Sequence, residues 1–214
     1  MTGLVTRWWW VRHAVVTANQ GVIYGRTDWP CDVSDLASFN GLATILPKQA
    51  TLITSQLQRT KQTAESIKMA GMGAENPLQP SVSIEAPPLN EQNFGDWEGQ
   101  SFAQMQAAAG RFATHDYWLC PGHLRPPNGE SFLDLIARAA PFIEETSNNH
   151  PGKDIIAVAH GGTIRAALAI ALGMDPERAL SFTIDNLSVT RIDRIEKEDR
   201  LLWRVVMVNR PPTL

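Results

Sequence analysis

The sequence holds little of what marks several large protein classes. Only two cysteines occur in 214 residues, Cys31 and Cys120, with no Cys-x-x-Cys spacing. A chain of this length builds its own core without disulfides, so two buried thiols are expected. No basic run exceeds two residues, and 19 Lys+Arg stand against 22 Asp+Glu for a net charge of −3, which argues against a nonspecific nucleic-acid binder. Any anionic ligand is then held by a few placed cations in a local pocket rather than by the field of the whole protein. The most apolar region, Ile155 to Met174, is broken by His160 and Arg165, so it falls short of the roughly 18 uninterrupted apolar residues of a membrane span. The first residues, with Arg7 ahead of Trp8-Trp9-Trp10 and then Arg12 and His13, lack the apolar stretch and small-residue cleavage site of a signal peptide. Internal repeats and low-complexity segments are absent too. These absences predict a cytoplasmic protein with no membrane and no nucleic-acid partner.

What is present is ordinary for a folded chain: 43% hydrophobic and 19% charged residues. The length is about 1.4 times a typical domain of roughly 150 residues, which predicts one domain over residues 1–214. Thr6 to Val11 is β-branched and aromatic and predicts a buried strand that ends at Arg12-His13. Helical spacing over Asp35 to Gln49, behind a Ser34 or Asp35 cap, leads to a strand at Thr51 to Thr54. Gln58 to Ala70 predicts a helix with Arg59 in its first turn, and Val82 to Ala86 a short strand. Further on come a helix over Phe132 to Ser147, an apolar strand over Asp154 to Ala159, and a helix over Thr163 to Leu172 after a double glycine. This alternation predicts a three-layer α/β/α sandwich around a mostly parallel sheet. Leu187 to Ile195 and Leu201 to Val208 flank Glu196 to Arg200 and predict an antiparallel C-terminal hairpin at the sheet edge. Segment 100–128, with an alanine-rich helical stretch from Phe102 to Phe112 and then Pro121-Gly122 and Pro126-Pro127, fits the alternation least. It reads as a lid-like insertion over the carboxyl edge of the sheet, where ligands of open α/β folds sit.

Two strand ends look alike. Val11-Arg12-His13-Ala14 closes one strand and Val158-Ala159-His160-Gly161-Gly162 another, so two imidazoles are expected at one carboxyl edge. A single histidine there is more often structural than chemical. The glycine pair lets the backbone approach a ligand and opens a helix, whose N-terminal N–H groups attract an anion. Arg12 and Arg59 add guanidinium forks suited to phosphate, although Arg59 alone would read as a solvated helix-face charge. His115, Cys120 and His123 lie within nine residues, but their spacing matches no ordinary zinc pattern and no fourth ligand is evident. No metal is therefore expected. The rings of Trp8 to Trp10 read as alternating into the two faces of a central strand rather than as a surface patch. Cys31 has no neighbouring base to make it a nucleophile.

These residues together resemble the histidine phosphatases, the phosphoglycerate mutase-like superfamily. Arg12-His13-Ala14 is similar to the family's Arg-His-Gly signature, with alanine in the glycine place, and Val15-Val16 replaces the usual Glu-Thr. Asn19 matches a phosphate-contacting Asn, and Tyr24-Gly25-Arg26-Thr27-Asp28 the stretch that follows it. Ser55 to Ala64 resembles the Ser-x-x-x-Arg-x-x-x-Thr-Ala block, and Leu89 to Gly99 the block that supplies an acidic proton donor at Glu91. Asn128-Gly129-Glu130-Ser131 is similar to a Gly-Gly-Glu-Ser element, and His160-Gly161 to a second catalytic histidine. The matches run in the family's order from residue 11 to 165. The resemblance implies that His13 is the phosphorylated nucleophile, that Glu91 is the proton donor, and that Arg12, Asn19, Arg59, His160 and Gly161 hold the phosphoryl group. It implies no cofactor and a small phosphorylated metabolite as partner, with a homodimer left open. Phe94-Gly95-Asp96-Trp97-Glu98-Gly99 resembles phosphatases, the α-ribazole phosphatase branch most of all. The alternatives are mutase-type phosphoryl transfer, which goes with Glu-Arg-His-Tyr-Gly and a longer basic insertion, and a non-catalytic phosphate-binding or interaction module of the same fold.

Overall fold

A computed structural model describes residues 3–72, 79–110, 115–198 and 200–213. Strand β1 (Leu4–Arg12) alternates its side chains as a strand must, which divides the tryptophan triplet between two faces. Trp8 and Trp10 are buried and stacked, with ring centroids 5.0 Å apart and planes 11° from parallel. The Trp8 indole N–H donates to Ser147 Oγ at 2.9 Å. Trp9 lies on the opposite face, where its N–H donates to Asp154 and the Arg191 guanidinium covers its ring at 4.7 Å.

The chain continues through α1 (Leu36–Ile45), β2 (Gln49–Thr54), α2 (Gln58–Met72), β3 (Gln79–Glu85), α3 (Phe102–Ala109), α4 (Phe132–Asn149), β4 (Asp154–Ala159), α5 (Gly161–Leu172), α6 (Pro176–Ala179), β5 (Val189–Lys197) and β6 (Arg200–Arg210). The sheet order is β3-β2-β4-β1-β5-β6. The first four strands run parallel, while β5 pairs antiparallel with β1 and β6 antiparallel with β5. Phe39 and Leu42 of α1 and Ala64 and Ile67 of α2 pack on one face against Val11, Leu52 and Val158. Ala139 and Ile143 of α4 and Ile164 and Leu168 of α5 pack on the other, around Trp8, Trp10 and Ala157. The expected three layers and the C-terminal hairpin are therefore present. Among the described residues no helix is long and apolar enough to cross a membrane.

Several boundaries differ from the sequence expectation, each for a local reason. Helix α1 is capped by Asp35 as expected but stops at Ile45 instead of reaching Gln49, because Leu46 precedes Pro47 and is extended with ψ of 148°. Gln49 already belongs to β2. Strand β3 starts at Gln79, ahead of Val82, and closes at Glu85. Helix α3 ends where Gly110 takes a φ of +77°; Arg111 and Phe112 lie outside the described residues. Helix α5 begins at Gly161, so the glycine pair is its first turn and not a linker before it.

Strands β1 and β4 lie side by side with Arg12 opposite Ala159. The chain leaves β1 toward α1 on one face and leaves β4 into α5 on the other, which opens a crevice at their carboxyl ends.

The split of the tryptophans sets a stability test. Trp10→Ala should cost about 3–5 kcal/mol in urea denaturation, as for a large aromatic removed from a core. Trp9→Ala should cost clearly less, because its ring is partly exposed. Equal losses from the two variants would contradict the division of faces.

Candidate active site

The β1–β4 pairing brings the two histidines together. His13 follows β1 and its backbone N–H donates to Ala159 O at 3.0 Å, while His160 follows β4 as the N-cap of α5. The rings meet edge to face, centroids 5.1 Å apart. Both are fully buried beside arginines, and burial first, then the Arg59 charge, holds both well below the ordinary histidine value. Both imidazoles are therefore neutral at pH 7.

The hydrogen bonds assign the tautomers. His13 Nδ1 lies 2.7 Å from Ala14 O, which can only accept, so Nδ1 carries the proton and Nε2 the lone pair. His160 Nδ1 accepts from Arg59 Nε at 3.3 Å, so Nε2 carries the proton and donates to Ser55 Oγ at 2.8 Å. Ser55 Oγ in turn accepts from the Leu57 N–H and pairs with Thr60 Oγ1. Both nitrogens of His160 are thus occupied by protein groups, and a contact with phosphate would require it to exchange one of them.

Arg59 enters on the first turn of α2 and is buried, which excludes the solvated-charge alternative. Besides His160 it donates to Thr27 O and Gly25 O, and it covers the Tyr24 ring at 5.1 Å. Three of the five guanidinium N–H donors are thereby committed. Arg12 donates to Ile184 O at 2.6 Å, and its buried Nε has no partner. Neither arginine makes an ion pair among the described residues. A buried cation without a carboxylate partner, as at Arg59, is costly, and together with Arg12 at the crevice it favours an anion nearby. No side chain caps α5 at His160, so its first N–H groups add to that preference.

Two carboxylates of one sequence block have opposite surroundings. Glu91 is buried at the crevice, accepting from Gln92 N at 3.0 Å and Gly162 N at 3.2 Å, and Gly162 has no room for a side chain beside it. Glu98 accepts from the N–H groups of Arg26, Thr27 and Phe94 and from the Thr27 hydroxyl. It ties two loops together and has no free role. Of the predicted set, Arg12, Asn19, Glu91 and Gly161 line one crevice of about 370 Å³, while His13, Arg59 and His160 are buried and are not among its lining residues.

Ala14 does not crowd the crevice, because its methyl is buried in the cluster with Val11, Phe39 and Leu42. The thiols behave differently from expectation in part. Cys120 is buried and pushed up to about 12, whereas Cys31 is half-buried, with Sγ 3.3 Å from Arg59 O, and raised by burial. Neither is a thiolate at neutral pH. His115 and His123 both turn toward Glu177 of α6.

Three residues escaped the sequence reading. Arg138 of α4 donates to Pro88 O, Asn90 O and Glu91 O and pairs with Glu130, fixing the loop that carries Glu91. Ser55 orients His160. Arg165 of α5 donates to Phe182 O, lies over the Trp118 ring at 4.7 Å, and is drawn down to about 10 by burial. Its place four residues after Gly161 is the helical repeat that could have revealed it; Arg138 carries no comparable signal.

With this geometry, the family is shown by comparison: the chain belongs to the histidine phosphatase superfamily (branch 1), which it matches over residues 8–209. It is similar to the adenosylcobalamin/alpha-ribazole phosphatase of Escherichia coli (strain K12), 29% identical over 196 residues that cover 89% of this chain and 91% of that one. It is also similar to a glucosyl-3-phosphoglycerate phosphatase of Mycolicibacterium vanbaalenii, 32% identical over 77% of this chain and 73% of that one. The solved structure of mycobacterial hydrolase 2 shares the fold, with a TM-score of 0.81 at 23% identity over 99% of this chain and 93% of that one. Phosphoglycerate mutases match as well, but the chain spans 60% of the length of one from Gloeobacter violaceus. The phosphatase reading therefore holds over the mutase one.

The neutral, buried histidines predict how stability depends on pH. Both bind a proton less readily folded than unfolded, so their contribution is full above the ordinary histidine value near 6.5 and is lost as pH falls below it. Urea denaturation from pH 7.5 to 5 should show stability falling, with a slope that approaches about 1.4 kcal/mol per pH unit for each histidine. His13→Asn should lower that slope; an unchanged slope would mean that His13 is not neutral in the folded chain.

Proposed function

We propose that this protein hydrolyses small phosphomonoesters through a phosphohistidine at His13. The observation that carries the reading is the His13 tautomer: the Ala14 carbonyl accepts a hydrogen bond from Nδ1–H, leaving the Nε2 lone pair for attack on phosphorus. A P–N bond forms as the P–O bond to the leaving alkoxide breaks, and Glu91 gives that oxygen a proton. Water then attacks the phosphohistidine, Glu91 takes its proton, inorganic phosphate leaves, and His13 is restored. Arg12, the remaining donors of Arg59 and the Gly161 turn of α5 stabilise the equatorial oxygens, with Asn19 at the outer side. His160 anchors Arg59 through Nδ1 and joins the phosphoryl contact when its Nε2–H exchanges Ser55 for a phosphoryl oxygen. Residues 1–214 act as one cytoplasmic catalytic domain, with segment 100–128 as a lid. The substrates for which these relatives are named, alpha-ribazole phosphate and glucosyl-3-phosphoglycerate, belong in the first substrate panel.

The charge in this scheme comes from guanidinium groups and backbone N–H groups. Turnover of such a panel should therefore be unchanged by a chelator and abolished in His13→Ala. Activity lost to chelator and restored by zinc or magnesium would contradict it. Full activity in the variant would favour another nucleophile, and no turnover of any ester would favour the binding-module reading.

The carboxylate assignment has its own test. A general acid matters most when the leaving alkoxide is most basic. Glu91→Gln should slow the first turnover of alkyl phosphates about 10²-fold more than that of nitrophenyl phosphate, within the range of positioned acid catalysis. Glu98→Gln should show no such dependence. A leaving-group dependence found in the Glu98 variant instead would reverse the assignment.

A further inference from the structure

Beyond the phosphoryl-facing groups, the crevice has an aromatic wall. Ile23 and Phe94 are buried in its floor, and Phe102 and Tyr117 stand at the mouth with 41% and 65% of their surface in water. Trp118 lines the same cavity and is held on several sides. Its N–H donates to Gln92 Oε1 at 3.1 Å, its ring sits 6.2 Å from that of Phe94, and the Arg165 guanidinium covers it at 4.7 Å. An indole held this way is an ordered platform that loses little freedom when something stacks on it. The charged lining groups are Arg12, Glu91 and Arg165. Arg12 and Arg165 both flank Gly161 at the inner end, and Glu91 lies beside Gly162. Apart from the Arg165 guanidinium that covers Trp118, the outer part thus presents rings and no other charged lining group.

We propose that this outer wall is a stacking subsite for an aromatic group, so that the preferred substrates are phosphomonoesters of alcohols bearing a flat ring. This rests on the phosphatase reading of the inner cluster. The phosphoryl group lies against Arg12 and Gly161, and the alcohol carries its ring outward between Trp118 and the rim formed by Phe102 and Tyr117. Burying a ring there favours binding through apolar area and ring contact, whereas a small polyol leaves the wall in water.

Two primary alkyl phosphates of similar leaving-group basicity isolate the effect: 2-phenylethyl phosphate and ethyl phosphate. Their non-hydrolysable phosphonates, 2-phenylethylphosphonate and ethylphosphonate, report binding by calorimetry without turnover. The phenyl compounds should win by about tenfold or more in kcat/KM and in affinity. Trp118→Ala should pull both ratios toward one, and Phe102→Ala, at an exposed position, should lower them if the tryptophan variant fails to fold. Hydrolysis of both esters with ratios within about twofold overturns the subsite and leaves the phosphatase reading standing, as do ratios unchanged in folded variants. Selective phenylethylphosphonate binding without turnover of either ester upholds the subsite and rejects the phosphatase. Equal phosphonate binding without turnover ends both.

Discussion

The parallel pairing of β1 with β4 is the constraint from which the site follows. With Arg12 opposite Ala159, the next residue on each strand is a histidine, and the two imidazoles have to share one buried space. A shift of one residue along either strand would turn a ring to the opposite face of the sheet. The register is held far from the site by Trp8 and Trp10, whose stacked rings fill one face of the core, and by the Trp9 and Asp154 contact on the other. The hydrophobic packing of the strand therefore sets the spacing of the chemistry at its end.

That shared space is dry, and dryness decides the protonation states. An imidazolium would sit beside Arg12 and Arg59 without solvation, so both histidines stay neutral. Arg59 cannot give up its charge as readily, and it is held by carbonyls, a ring and an imidazole in place of a carboxylate. A carboxylate partner would have neutralised the field that attracts phosphate. The carboxylates nearby serve other ends: Glu98 and Glu130 pin loops, and Glu91 accepts only backbone N–H groups at the crevice. One acid is free for proton transfer because its neighbours carry the structural load.

Much of this was legible from local sequence signals. Strand-end histidines, the glycine pair, Arg59 in a helical first turn and the acidic block each have a short-range reason, and the structure brings them together at the carboxyl ends of β1 and β4. Local rules also explain the misplaced ends, since Pro47 ends α1 earlier than apolar spacing suggested. What stayed hidden were contacts between segments distant in sequence. Arg138 reaches the Glu91 loop across 47 positions, and Ser55 meets His160 across 105. Ala14, in the family's glycine place, is a core residue, because its direction depends on how β1 ends against α1 and α2.

The central claim is that burial and the Ala14 carbonyl keep His13 neutral with its lone pair on Nε2. Nitrogen-15 NMR of the imidazoles, with His13 assigned by loss of its signals in His13→Asn, tests this without substrate. The account predicts a protonated Nδ1 and an unprotonated Nε2 at pH 7, unchanged well below the ordinary histidine value. An imidazolium at pH 6, or a proton on Nε2 in place of Nδ1, would contradict it.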